Sequence, residues 1–216
     1  DGYLRRGSEI FGRIAAIPVT TVAAVHGAAL GGGLELAMHC DLLIARQPGD
    51  DEKPYMVGLP EAGLGICPGW GGTNMLPARI APEQAIRMTA EGKPVDAAKA
   101  MDLGLFSGLE ADEEALLLAA KRAAKGPKPA RNGAEPSEPP TISRPESRAR
   151  VEAALGSLHD ELPRTDAAQA VLECIGVGLE SGWQAALEAE RERLIRLRHT
   201  EFARGRIEAF LARSAG

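Results

Sequence analysis

Two glutamates in this chain stand among residues that do not suit an ionised side chain. Glu35 follows three consecutive glycines, Gly31, Gly32 and Gly33, and is flanked by Leu34, Leu36 and Ala37. Burying a carboxylate there is costly unless something offsets it. A β-branched run leading into glycines, and the glycines into a helix, is a turn that aims backbone N–H groups at an anionic oxygen. Phosphate-binding versions of that turn do not fit. A Walker-type loop needs Lys-Ser/Thr where Leu34-Glu35 stands, the GxGxxG spacing is absent around Gly27, and Glu35 would repel a phosphate. Two readings are left: an oxyanion hole in which the N–H of Gly32 holds a developing negative oxygen, or glycines that only permit close helix packing. Glu35 is likewise either a functional acid or a first-turn acid complementing the helix dipole.

The second acid, Glu61, lies in GLPEAGLG, on a loop at the end of a short strand, where α/β proteins place their sites. A plain turn acid is the alternative. Two carboxyls beside one oxyanion donor can divide general-base and general-acid work. Other chemistries find less support. His39 and Cys40 are adjacent and point to different sides of a helix, His26 stands apart, and no ligand cluster completes a metal site. No GxSxG surrounds a serine. Trp70, between Gly69 and Gly71, is either a pocket wall or packing.

The elements that must hold these residues alternate along the first part of the chain. Leu4, Ile10, Phe11 and Ile14 recur at helical spacing before Pro18, and Val19 to Val25 reads as a strand of a mostly parallel sheet. The helix LELAMHC and the strand LLIA follow, then the strand YMVGL. Pro68-Gly69-Trp70-Gly71-Gly72 leads into a helix from Thr73 to Arg79, and two more helices start near Pro82 and Pro94. Between Gly126 and Ala149 six prolines and a single large apolar residue, Ile142, read as a linker or exposed loop. Helices resume from Val151. Ala186, Leu187, Glu190, Leu194 and Leu197 fall on one stripe, while Glu188, Glu190 and Glu192 interleaved with Arg191, Arg193, Arg196 and Arg198 read as a solvated, ion-paired face. The organisation expected is therefore an α/β core over residues 1–124, a Pro-rich connection over 125–150 and a helical region over 151–216.

Composition bounds the class. Of the 216 residues 44% are hydrophobic and 25% charged, which suits a globular protein and neither a membrane span nor a disordered tail. Aromatics make up only 4%, so the core must be built from Ala, Leu, Val and Ile. A net charge of −5 provides no global basic field for nucleic acid. Cys40, Cys67 and Cys174, odd in number and without a CxxC pair, argue for a reducing, cytoplasmic setting over a disulfide scaffold.

Taken together, IPVTTVAAVHGAALGGGLELAMHCDLLIA, VGLPEAGLGICPGWGGTNMLPARI and GKPVDAAKAMDLGL resemble the enoyl-CoA hydratase/isomerase (crotonase) family in order, spacing and residue type. LESGWQAALEAERERLIRL and IEAFLARS resemble the hydratase part of multifunctional fatty-acid oxidation proteins. The resemblance implies the crotonase α/β spiral with helices at its C-terminal end. It places Gly32 on the family's oxyanion-hole glycine, and Glu35 and Glu61 on its two catalytic glutamates. Gly31, Gly33, Pro68, Gly69 and Trp70 become the candidates for contacting substrate. The implied reaction is reversible addition of water to a trans-2-enoyl-CoA in fatty-acid β-oxidation. No metal or cofactor is implied, because CoA belongs to the substrate. A Δ3-Δ2 enoyl-CoA isomerase, another acyl-CoA hydrolase or lyase, and a noncatalytic assembly subunit are the alternatives. The protein partners implied are further copies of the chain or a fused 3-hydroxyacyl-CoA dehydrogenase, with no nucleic acid and no membrane.

Against the family pattern, His26 replaces a common Asn and Trp70 a small residue or Phe. The family's opening strands, with a loop that supplies a second oxyanion N–H, have no counterpart in the sequence, which reads as an N-terminally truncated, internal segment of a longer protein. Losing one oxyanion donor typically costs ~10²- to 10³-fold in rate. The chain extended upstream to its natural start is therefore expected to hydrate crotonyl-CoA faster than residues 1–216 alone. Equal rates for the two would remove that expectation.

Overall fold

A computed structural model describes residues 2–129, 138–158 and 160–214. Helix α1 (Gly2–Ala15) precedes strand β1 (Val22–Val25), the two-residue strand β2 (Ala29–Leu30), helix α2 (Gly32–Met38) and strand β3 (Leu42–Arg46). Strand β4 (Met56–Gly58) leads into a 3-10 turn (Glu61–Leu64), followed by helices α3 (Gly72–Arg79) and α4 (Pro82–Glu91). Strand β5 (Val95–Asp96), helix α5 (Ala97–Asp102), strand β6 (Gly108–Glu110) and helix α6 (Glu113–Ala124) complete the α/β part. Helices α7 (Pro145–Leu158), α8 (Asp166–Arg198) and α9 (Glu201–Ser214) follow.

The strands form two small sheets. In the first, β1 and β6 flank β3, all parallel, with Val22 opposite Leu42 and Ile44 opposite Gly108. In the second, β2 pairs parallel to β4, with Ala29 opposite Val57, and β5 pairs antiparallel on the other side of β4. The strand expected from Val19 is shorter than the apolar run and begins at Val22; Thr21 is instead tied to Asp41 through its N–H and its hydroxyl. Val95 and Asp96 pair as a strand before α5 starts, and the Asp96 side chain caps that helix by accepting from the Lys99 N–H (2.7 Å).

Two apolar cores result. One, built from Val25, Leu34, Met38, Leu43, Val57, Leu59, Met75 and Leu76, lies between the sheets and α2 and α3, and takes Trp183 and Leu187 from α8. The other joins α4, α7 and α8 through Ile86, Val151, Leu158, Val171 and Ile175. Aliphatic residues carry both, as the scarcity of aromatics requires. Helix α8 is one run of helix broken at Gly182, where the backbone takes φ 83° and ψ −174°. The break lets its first half serve the second core and its second half reach the first.

The connection expected to be exposed differs over its second half. Ile142 is 0% exposed and belongs to the second core, its N–H donates to the Asn74 carbonyl (3.1 Å), and Thr141 and Ser147 are buried with it. The reason is that one large apolar residue suffices to anchor a proline-rich stretch when a cavity between helices is shaped to take it. Residues 130–137 of that connection lie outside the described residues. Among the described residues no helix is long and apolar enough to cross a membrane.

Because Ile142 fills the second core, Ile142→Ala is expected to lower unfolding stability by about 2–5 kcal/mol, the usual cost of deleting a buried isoleucine side chain. Urea denaturation followed by circular dichroism measures it. An effect within about 0.5 kcal/mol, typical of a surface position, would mean that the segment is not packed in solution.

Candidate active site

The site forms where β2, β4 and the turn before α3 converge. Strand β2 runs into Gly31, which takes φ 54° and ψ −126° as the N-cap of α2. Its N–H donates to the Gly58 carbonyl (2.9 Å), extending the β2–β4 pairing by one residue. Only glycine suits this position, since a Cβ here would lie 2.6 Å from Glu61 Oε1 as well as demanding a left-handed backbone. Helix α2 then starts at Gly32. The first i→i−4 bond of the helix is from the Glu35 N–H to the Gly31 carbonyl (3.0 Å), so the N–H groups of Gly32, Gly33 and Leu34 have no partner within the helix.

Glu35 is 1% exposed. Its carboxylate does not turn back to cap its own helix. It crosses to the segment before α3, where Oε1 accepts from the N–H groups of Trp70 and Gly72, both at 2.8 Å. Glu61 sits at the start of the 3-10 turn after β4 and is 9% exposed; its Oε2 has no hydrogen-bond partner among the described residues. The two predicted acids and the predicted oxyanion glycine are thus brought together, with Glu61 lying against Gly31 and Gly32 following it. Trp70 stands over Gly32, where an added Cβ would collide with the indole ring. The indole N–H donates to the Leu4 carbonyl of α1 (3.1 Å), and the ring meets Phe11 edge-on at 5.1 Å between centroids. Trp70 is therefore both packing for α1 and a wall beside Gly32.

Of the other substrate candidates, Gly33 is exposed on the first turn of α2, while Pro68 and Gly69 are buried. Gly69 faces Leu194 and Leu4 rather than the two acids.

A third acid joins the site unforeseen. Glu190 of α8 is 0% exposed. Its Oε2 accepts from the Gly71 N–H (2.6 Å), and its Oε1 accepts from the Thr73 N–H (2.9 Å) and the Thr73 hydroxyl. The expectation of a solvated, ion-paired face is corrected at this residue and at Arg191, which is buried too. That pattern does hold nearby, where Glu173 and Arg193 pair at 2.8 Å. The sequence carried the signal, because Glu190 falls on the apolar stripe with Leu187, Leu194 and Leu197, and an acid on such a stripe needs buried donors.

Burial pushes Glu35 well above the usual carboxylate range, reinforced by the Glu190 and Glu61 carboxyls and opposed by the Gly72 and Trp70 N–H groups. Burial also raises Glu61 to about 7, opposed by its own backbone N–H and aided by Glu190. Glu190 is raised by burial against the pull of the Thr73 hydroxyl and the Gly71 and Thr73 N–H groups. His39 packs behind Glu35, whose carbonyl accepts from Nδ1 (2.9 Å). Burial, with the charge of Arg79 adding to it, lowers His39 to about 4, so it is a neutral packing group and not an acid or base of the site. Cys40, Cys67 and Cys174 are free thiols, and among the described residues no group of three or more His, Cys, Asp or Glu could hold a metal ion.

Small sheets stacked with helices, a glycine turn opening a short helix, and helices appended at the C-terminal end define the crotonase fold. It recurs in the crystal structures of an enoyl-CoA hydratase from Mycobacterium avium subsp. paratuberculosis (TM-score 0.60, 21% identity, 99% of this chain and 70% of that one) and one from Bacillus halodurans (TM-score 0.58, 22% identity, 95% and 66%). Residues 2–133 match the enoyl-CoA hydratase/isomerase family model, and the chain belongs to that family. A curated Bacillus subtilis protein described as a probable enoyl-CoA hydratase is 45% identical over 127 residues, 56% of this chain and 47% of that protein. The chain thus spans about half the length of the curated relative it matches.

The raised Glu61 has a pH signature. A carboxyl held at about 7 in the fold but near 4.5 when unfolded binds its proton more tightly in the folded state, so the stability it confers is lost as pH rises from about 4.5 through 7. Glu61→Gln removes that dependence. Relative to the wild type, the variant should gain roughly 3 kcal/mol between pH 4.5 and pH 8. Denaturant unfolding across that window tests it, and parallel stability curves for the two proteins would show that Glu61 ionises at its ordinary pH.

Proposed function

We propose that this chain carries the site of an enoyl-CoA hydratase, adding water reversibly to a trans-2-enoyl-CoA thioester in fatty-acid β-oxidation, with Glu35 and Glu61 as the catalytic acid–base pair and Gly32 as an oxyanion donor. The observation that carries the reading is the pairing of two buried carboxyls at the N-terminus of a helix that begins with glycine: Glu35, held by two backbone N–H groups, and Glu61, raised to about 7 and with one oxygen left without a hydrogen-bond partner among the described residues. Membership of the hydratase/isomerase family and the likeness to a protein described as a probable hydratase support it.

In this reading the thioester oxygen lies against the Gly32 N–H, which is pre-aimed by the helix start and stabilises the charge that builds as the enolate forms. Water is held between the two carboxyls. The ionised member of the pair takes a proton from the water as its oxygen bonds to the β-carbon, and the protonated member delivers a proton to the α-carbon. The net change is one water added, and proton exchange between the acids and solvent restores the starting state. An acid near neutrality suits both directions of transfer. No metal or redox group enters the reaction, and CoA is the handle of the substrate. The surrounding partners in this reading are further copies of the chain or a dehydrogenase domain.

One observation favours a second reading. Glu35 Oε1 is already occupied by two backbone N–H groups, whereas Glu61 Oε2 has no protein partner. A single mobile acid is sufficient to carry a proton along an acyl chain, which is double-bond migration by an isomerase.

Glu35→Gln and Glu61→Gln, each in the protein encoded by the natural reading frame, are expected to lower the rate of crotonyl-CoA hydration by at least ~10²-fold, the scale of lost acid–base help. A Glu35→Gln variant hydrating at full rate removes the hydratase assignment. Loss of hydration with retained double-bond migration in that variant selects the isomerase.

A further inference from the structure

Four consecutive backbone N–H groups, from Trp70 to Thr73, lie between two buried carboxylates and are shared alternately. Trp70 and Gly72 donate to Glu35, while Gly71 and Thr73 donate to Glu190. The alternation depends on Gly71, whose φ of 102° swings successive N–H groups to opposite sides. Glu190 is a brace on this turn from behind. Its side chain satisfies the N-cap and second N–H groups of α3, its backbone carbonyl accepts from the Cys67 thiol (3.6 Å) just before the turn, and Trp183 of the same helix packs against Gly71. The turn therefore cannot shift toward or away from Glu35 without breaking bonds to α8.

We infer that Glu190 is a positioning residue: acting through the Trp70–Thr73 turn, it fixes the carboxyl of Glu35 for proton transfer, which makes helix α8 part of the machinery and not an appendage. Glu190 is separated from Glu35 by the turn itself, so its hold on the position of Glu35 is indirect, alongside the direct charge effect by which it raises Glu35. A carboxylate is required. An amide at this position would present N–H to N–H on at least one side of the pair that Glu190 now satisfies. The catalytic consequence rests on the hydratase reading; the positioning of Glu35 does not.

The test compares Glu190→Gln and Thr73→Val with Val171→Ala, which removes packing from the same helix, in the second core, without touching the turn. Amide hydrogen exchange by NMR is the first readout. In Glu190→Gln, exchange at Gly71 and Thr73 should accelerate at least about tenfold, and the acceleration should spread to Trp70 and Gly72, which do not contact Glu190. Val171→Ala should leave these four amides as they are relative to the rest of α3. Should Glu190→Gln fail to fold, Thr73→Val, which deletes one donor to Glu190 and keeps the carboxylate, should still loosen Trp70 and Gly72 by a smaller factor. Unchanged protection of Trp70 and Gly72 in the folded variant overturns the inference.

Steady-state hydration of crotonyl-CoA is the second readout. Displacing Glu35 should lower kcat by about 10- to 100-fold while KM stays nearly constant, and Glu190→Asp should recover part of the loss. Wild-type kcat in a Glu190→Gln variant whose turn is loosened also overturns the inference. If the wild type does not hydrate crotonyl-CoA but Glu190→Gln loosens Trp70 and Gly72, the hydratase reading falls and the positioning of Glu35 stands.

Discussion

The structure around the site turns on one constraint: two carboxylates, Glu35 and Glu190, are taken out of water within reach of each other, and the donors that make this tolerable are the N–H groups of a single turn together with the Thr73 hydroxyl. Unsatisfied, each would cost several kcal/mol. Satisfied by the alternating N–H groups of Trp70 to Thr73, they tie α2, α3 and α8 into one unit. Much else in the local sequence follows from that requirement. The turn needs a left-handed residue at Gly71, and the space on its far side is filled by Trp183.

The same constraint explains the break in α8. A straight helix long enough to serve the second core through Val171 and Ile175 would carry its later turns past the site. The positive-φ backbone at Gly182 redirects the second half so that Trp183 and Leu187 enter the first core and Glu190 reaches the turn before α3. Asn74 supports the junction from the other side, its amide donating to the Cys174 carbonyl (3.2 Å) and to the Thr73 hydroxyl (2.9 Å). The helices after residue 150 are structural partners of the α/β part, as the burial of Ile142 between them also attests.

Burying three carboxyls in one apolar region raises all of them, and Glu190 and Glu61 add to the rise at Glu35 while Glu190 adds to that at Glu61. Stability is sacrificed at neutral pH, since a buried acid held near 7 is a group the unfolded chain would ionise freely. Such arrangements concentrate where proton transfer is useful. The backbone N–H groups oppose that rise at Glu35 and Glu190, and Glu61, raised to about 7, keeps an oxygen without a partner among the described residues.

Much of this was legible in the sequence. The glycine turn before Glu35, the strand-end position of Glu61 and the oxyanion candidate Gly32 follow from local patterns, because turns, helix starts and strand ends are written in consecutive residues. The order of the main strands and helices through Gly104 follows from periodicity for the same reason, with boundaries shifted by a few residues at Val22 and Val95, whereas β2, β6 and α6 are not read from the sequence. The burial of Ile142 and the donors that receive Glu190, whose place on an apolar stripe only signals burial, were decided by tertiary structure. The environment of each residue is set by elements far along the chain: Glu190 by a turn 117 to 119 residues away, Ile142 by the carbonyl of Asn74 and the gap between α4, α7 and α8. A pattern of charges or prolines reports what a segment does to its own neighbours in sequence. Whether it is buried depends on which distant donors or cavities the fold brings to it, and those exist only once the chain has folded.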